Sequence, residues 1–155
     1  MLSIILVCLI VACNTKNPVT EEIVSYINGD LKQLSEEEVR LNQAYESVTG
    51  NNSVDDETTY NKLSDEIIPG YVEYIKKVEA VNIKSQELKD VHEIYIEAIN
   101  IQHSALTIIL SGLENGDYDK IDEANTKLTE ARKMMRDYQS ELTKLMDKYH
   151  VKKKE

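Results

Sequence analysis

Metal binding is the first chemistry that the residue types allow, because the chain is rich in carboxylates and carries three histidines. Helical di-iron proteins place a Glu three residues before each of two ligating His side chains. Lys89 and Asn100 occupy those positions before His92 and His103. The two histidines are also about three helical turns apart, which is too far for one metal ion to bind both. We therefore predict neither a metal site nor a bound cofactor.

Hydrolytic and nucleotide-binding chemistry has no local signature in the sequence. The patterns GxSxG, GxGxxG and HExxH and the phosphate-binding P-loop are all absent. Asp55, Asp56 and Glu57 form a run of carboxylates, but the spacing is not that of an EF-hand calcium loop. Serines and threonines are scattered, and no local context marks one of them as activated. We predict that the protein is not an enzyme and has no catalytic residue.

Glu38 and a set of tyrosines are the remaining candidates for a site. Glu38 falls on the apolar seam of the first predicted helix, where an ionised carboxylate needs a partner. It either turns to solvent, with Val39 inward instead, or pairs with a buried Tyr or Lys. Tyr71 and Tyr74 follow Pro69, and rings with a polar tip suit partner contact. We predict a partner surface at Glu38, Tyr71 and Tyr74; the alternative places the tyrosines in the core, with hydroxyls at its rim.

The two cysteines, Cys8 and Cys13, both lie in an apolar run at the start of the chain. Residues 2–13 read LSIILVCLIVAC, which is shorter than the roughly 20 residues of a membrane-spanning helix. The run fits the apolar region of a signal peptide, and the polar sequence NTKNPVTEE follows at once. The alternative is an N-terminal helix buried in the fold, with Cys13 as an inert core residue. We predict a signal peptide at residues 1–12.

The segment Ile10–Cys13 resembles the lipobox of bacterial lipoproteins, in which a small residue stands directly before the Cys. This resemblance implies that a signal peptidase cuts before Cys13 and that the thiol carries a thioether-linked diacylglycerol. Residues 13–19 are then the acylated Cys and a polar tether. The implied location is the extracytoplasmic face of the cell membrane, to which the lipid holds the protein. The membrane is thus one expected partner, and fatty-acid labels such as palmitate are expected to enter at Cys13.

The body of the chain reads as consecutive amphipathic helices. Only two Pro and five Gly are present, too few for the many turns of an all-β fold. Thr20 is a suitable N-cap for the first helix, and residues 49–56 form the clearest loop. Pro69 lies in the middle of the second helix, where a kink or break is expected. The third helix is apolar nearly all round, which indicates a buried position, and the fourth has the most regular heptads.

These helices predict an all-α fold over residues 20–150. The expected architecture is an antiparallel up-down-up-down four-helix bundle, because the helices are of similar length and the loops are short. The alternative is a three-helix bundle in which the second helix is broken at Pro69. Residues 151–155 are predicted to be a basic tail.

The net charge and a resemblance to a class of bacterial lipoproteins limit the functions that we expect. The net charge of −10 disfavours binding to the nucleic-acid backbone. The body resembles the small helical lipoproteins of Gram-positive bacteria, some described as cell-wall-binding, although no residue-level motif is shared. This resemblance implies a non-enzymatic interaction module at the cell envelope, with an envelope protein or a wall component as partner. The alternatives are a protective lipoprotein, giving toxin immunity or excluding phage or conjugative DNA, and a helical bundle that binds a small ligand.

Overall fold

The structure, a computed structural model, describes residues 10–12 and 17–153, and it describes side chains for residues 17–152. The predicted acylation site, Cys13, lies outside the described residues. Of the predicted signal peptide, the backbone of its last three residues is described.

Four long helices make up most of the described chain, which confirms the predicted all-α class. Two of them contain a π-helical turn that joins two α-helical segments. The first helix consists of α1 (Pro18–Ser25), a π turn (Tyr26–Asp30) and α2 (Leu31–Glu46). The second consists of α3 (Asp56–Lys62), a π turn (Leu63–Ile67) and α4 (Ile68–Glu79). The third is α5 (Gln86–Asn115), the fourth is α6 (Tyr118–Lys148), and a 3₁₀ turn (Gly50–Asn52) lies between the first and second.

The first helix begins three residues earlier than the sequence suggests. Asn17 is its N-cap, and the side-chain oxygen of Asn17 accepts a hydrogen bond from the backbone N–H of Val19 at 2.9 Å. Pro18 follows at the first helical position, where the missing N–H costs nothing. Thr20, expected as the cap, is instead buried in the first turn, and its hydroxyl donates to the Tyr149 carbonyl at 3.3 Å.

Pro69 does not break the second helix. In an α-helix its ring would meet the carbonyl of Asp65, four residues earlier. The π turn at Leu63–Ile67 directly precedes Pro69, and at its end the Ile68 N–H bonds to the Leu63 carbonyl. This wider turn takes the carbonyls ahead of Pro69 out of the α register, so the helix accommodates the ring. The second helix therefore continues to Glu79, and the alternative with a break at Pro69 does not apply.

The core lies between all four helices. α5 packs along α6 over most of its length and also contacts α3 and α4, while α2 packs on α4. α2 and α4 are tightly packed at Gly70, where an added Cβ would lie 2.5 Å from Leu41 Cδ2. Among residues 17–153, no helix is long and apolar enough to cross a membrane.

A two-stranded antiparallel ladder joins the two ends of the described chain. Strand β1 (Ile10–Ala12) pairs with strand β2 (Val151–Lys153), with Ala12 opposite Val151. Val151 is buried, so the segment predicted as a basic tail begins with a strand that packs on the helices. The ladder places the backbone just before Cys13 beside the C-terminal end of α6.

Candidate functional site

The residues predicted as a partner surface lie inside the protein. Glu38 is 3 % exposed, Tyr71 1 % and Tyr74 0 %. They are buried because each stands on the apolar face of its helix and that face meets other helices. In place of a surface they belong to a polar cluster in the core, to which all four helices contribute. We call this cluster the tyrosine core. Its members are Tyr26, Glu38, Asn42, Tyr71, Tyr74, His92, Tyr95, Gln102 and Tyr138.

One part of the tyrosine core is a hydrogen-bonded chain centred on His92. His92 Nε2 lies 2.9 Å from the Val78 carbonyl oxygen, which can only accept, so Nε2 carries the proton. Nδ1 is then the acceptor for the Tyr26 hydroxyl at 2.9 Å. The Tyr26 oxygen in turn accepts from the Tyr138 hydroxyl at 3.0 Å. Burial lowers the pKa of His92, which favours the neutral ring that this arrangement requires.

A second part of the tyrosine core is centred on Glu38. Its carboxyl group makes a hydrogen bond with the Tyr95 hydroxyl, which also bonds to the Tyr74 hydroxyl. The Tyr95 ring stacks on that of Tyr138, with centroids 4.9 Å apart, and so connects the two parts of the core. Burial raises the pKa of Glu38 to about 8, although the bond to Tyr95 acts in the opposite direction. Glu38 is therefore mainly protonated at neutral pH. Pairing with a buried Tyr, one of the two expectations for this residue, is confirmed.

The third part of the tyrosine core links Asn42, Tyr71 and Gln102. The Tyr71 hydroxyl donates to Asn42 Oδ1 at 3.0 Å and accepts from Gln102 Nε2. Gln102 Nε2 also lies 3.3 Å from Asn42 Oδ1. Of the side-chain atoms in the tyrosine core, Asn42 Nδ2 and Glu38 Oε2 are buried without a hydrogen-bond partner, and they belong to residues one helical turn apart on α2.

Sequence reasoning missed Asn42, His92 and Gln102 as members of this core. A signal was present for two of them. His92 stands between Leu88 and Tyr95 at steps of four and three, and Gln102 stands seven residues after Tyr95. These positions continue the apolar face of α5, and a polar residue on such a face predicts a buried hydrogen bond.

Near the start of the first helix, a carboxylate binds the backbone of the segment that leads into α5. Glu22 accepts hydrogen bonds from the backbone N–H groups of Lys84 and Ser85, directly before α5. Burial opposes ionisation of Glu22, but the bonds with Ser85 and Lys84 outweigh it and lower the pKa of Glu22. An open groove of about 610 Å³ lies beside this contact. The Glu22 oxygens that point there are already used to hold the first helix against the start of α5.

The tyrosine core is suited to positioning helices and to holding a proton on Glu38. Within residues 17–153, no three His, Cys, Asp or Glu side chains are grouped so that they could hold a metal ion. No family model, curated protein or solved structure matches the chain.

Proposed function

We propose that the protein is a lipid-anchored, non-enzymatic interaction module at the extracytoplasmic face of the cell membrane. The observation that carries this proposal is the apolar run that ends at Cys13 in a lipobox-like pattern, followed at once by a polar segment. The first helix begins at Pro18, so only four residues separate it from Cys13. A lipid on Cys13 would hold the helical domain close to the membrane surface.

We further propose that the four helices run up-down-up-down, which assigns the two ends of the domain. The end near Cys13 carries the start of the first helix, the segment before α5 and the end of α6. Contacts between these elements support this grouping: Thr20 bonds to the Tyr149 carbonyl, and Glu22 bonds to the Ser85 N–H at 3.0 Å. The opposite end carries the loop before α3 and the turn before α6, where the Tyr118 hydroxyl donates to Asp56 Oδ2 at 2.8 Å.

This opposite end is the proposed partner surface, and we call it the distal tip: residues 49–56 and 114–120. α5 has 30 residues, so the distal tip would stand about 45 Å from the anchored end. Tyr118 is 64 % exposed and Val54 42 %, which makes them two of the most exposed large apolar side chains described. An exposed aromatic ring with a polar tip is a common anchor for a protein partner. The partner is expected to be an envelope protein or a wall component.

The anchoring is tested by palmitate labelling in the native host. Wild type and Cys8→Ser should incorporate label and lose their first 12 residues, as measured by mass spectrometry of the membrane fraction. Cys13→Ser should remain unlabelled and uncut. The Cys8 variant is the matched control, because it removes the other cysteine of the same apolar run. An uncut, unlabelled wild-type chain would overturn the proposed anchor.

The partner surface is tested by placing a photo-crosslinking residue at position 118 of the acylated protein. The control carries the same residue at position 93, which is exposed on the first third of α5, nearer the anchored end. A defined adduct with one envelope protein or wall component is expected from position 118 and not from position 93. Equal adducts from both positions, or none from position 118, would contradict a partner surface at the distal tip.

A further inference from the structure

Glu38 is a carboxyl group enclosed by the tyrosine core. It is almost fully buried, and its Oε2 atom has no hydrogen-bond partner. Among the described side chains, no Lys, Arg or His lies within ion-pair distance of it. An ionised carboxylate in such a position is strongly unfavourable, because neither water nor a cation stabilises its charge. The surroundings therefore favour the protonated, neutral form of Glu38.

The titratable groups that face Glu38 from the other helices are hydroxyls, which cannot supply a positive charge. They are Tyr71 and Tyr74 of α4, Tyr95 of α5 and Tyr138 of α6. For each of these tyrosines burial raises the pKa first, and a negative charge on Glu38 raises it further. These tyrosines therefore stay neutral when Glu38 is ionised. They keep their protons and cannot neutralise the carboxylate by proton transfer.

The histidine of the tyrosine core, His92, is not free to compensate for a charge on Glu38. The His92 ring lies next to Tyr95, with centroids 6.1 Å apart, and burial lowers its pKa. Its Nε2 is committed to the Val78 carbonyl. On α2 itself, the neighbouring Glu37 faces outward and pairs with Lys77 at 2.6 Å. No group of the surrounding elements therefore offsets a charge on Glu38.

We propose that Glu38 is a pH-sensitive switch, whose neutral form keeps α2 packed on α4, α5 and α6 and whose ionisation at mildly alkaline pH loosens this layer of the core. The same layer contains Asn42 Nδ2, the other unpartnered atom on α2, one turn further along. Ionisation of Glu38 thus acts one helical turn from a second buried polar atom that has no hydrogen-bond partner. The switch does not depend on the proposed lipid anchor, and it would operate in the chain whether or not Cys13 is acylated.

The direction of the pH dependence follows from the two protonation states. The folded protein keeps the Glu38 proton up to a pKa of about 8, whereas the unfolded chain releases it near 4.5. The contribution of Glu38 to stability is therefore fully present below pH 4.5 and is lost as the pH rises to about 8. Over the middle of this interval, one proton is released on unfolding. The unfolding equilibrium constant then rises about tenfold for each pH unit.

The experiment measures urea unfolding of the full chain by far-ultraviolet circular dichroism between roughly pH 5 and 9. Three proteins are compared: wild type, Glu38→Gln and Glu36→Gln. The last is the matched control, because it removes the same charge from an exposed position on the same helix. Relative to Glu38→Gln, the unfolding constants of wild type and Glu36→Gln should both rise about tenfold per pH unit through neutral pH. Parallel pH profiles for all three proteins would overturn the proposal.

A second measurement keeps the proposal testable if Glu38→Gln does not fold. The Glu side-chain carboxyl carbons of wild type are labelled with ¹³C and titrated by nuclear magnetic resonance. One carboxyl group should titrate near pH 8, and the amide signals around α2 should broaden over the same range. If every carboxyl group titrates near its ordinary value, or if the helices stay equally ordered above pH 8, the switch does not exist.

Discussion

Gly70→Ala tests how closely the first and second helices approach each other. A Cβ at this position would lie 2.5 Å from Leu41 Cδ2 and 3.5 Å from Arg40 Nη2. Carbon atoms in contact are ordinarily about 3.5–4.0 Å apart, so roughly 1 Å of overlap must be absorbed. The Arg40 side chain is long and exposed and can move away. Leu41 is fully buried and cannot, so α2 and α4 must move apart or Leu41 must leave its rotamer.

The expected loss of stability follows from two opposing terms. Overpacking of a core typically costs about 1–3 kcal/mol, and an overlap with a fixed side chain belongs at the upper end. Replacing Gly by Ala inside a helix returns up to about 1 kcal/mol. Gly70→Ala should therefore lower the free energy of unfolding by about 1–2 kcal/mol. For a chain of this size that corresponds to a fall in Tm of roughly 2–8 °C.

Gly29→Ala is the matched control for this prediction. Gly29 also lies within a helix, but a Cβ there would meet nothing within 4 Å. The same exchange at this position should therefore stabilise the protein by about 0.5–1 kcal/mol. Urea unfolding of both variants at one pH measures the contrast in sign. Adding Leu41→Ala to Gly70→Ala should remove the overlap, so Gly70→Ala should cost less in that background. If Gly70→Ala stabilised the protein relative to wild type as much as Gly29→Ala does, the close packing of α2 on α4 would be refuted.

Two further predictions concern hydrogen bonds, each measured by urea unfolding. Glu22→Gln should lower the unfolding free energy by about 1 kcal/mol at neutral pH, because it weakens two hydrogen bonds from the backbone to a charged group. Because the pKa of Glu22 is lowered in the folded state, this difference should shrink as the pH falls below 4.5; a constant difference would contradict the role of its charge. Tyr138→Phe should cost about 1–2 kcal/mol, since it removes the donor to the buried Tyr26 oxygen. Tyr118→Phe, which loses an exposed bond to Asp56, should change stability by less than about 0.5 kcal/mol, and similar losses in both variants would contradict this account.

Local periodicity was sufficient to predict the helices. Apolar residues at steps of three and four specify which face of a helix is buried, and this information is contained within each segment. The four helices observed at residues 18–46, 56–79, 86–115 and 118–148 correspond to the four predicted segments, although the first begins three residues before its expected start. Periodicity could not predict how the second helix accommodates Pro69. Two π turns lie within helices that read as regular α-helix, because the register shift depends on packing rather than on a local residue pattern.

The candidate site also has features that the sequence predicts and features that only the packing of the helices decides. Glu38 was identifiable as unusual because a carboxylate interrupts a heptad seam, and Tyr71 and Tyr74 because they closely follow a proline. Whether they face a partner or one another was not decided by the sequence. That depends on which side chains the neighbouring helices bring opposite them, and these come from positions up to a hundred residues away.

The sequence by itself determined the all-α class, the positions of the four helices and the presence of a polar residue on the inner face of the first. These properties depend on spacing along one segment and on the cost of exposing apolar side chains. Only the tertiary structure decided that the carboxyl of Glu38 meets Tyr95 and no cation. The pKa of a buried carboxyl depends on solvent exclusion and on the groups opposite it, and both arise only when the helices pack together.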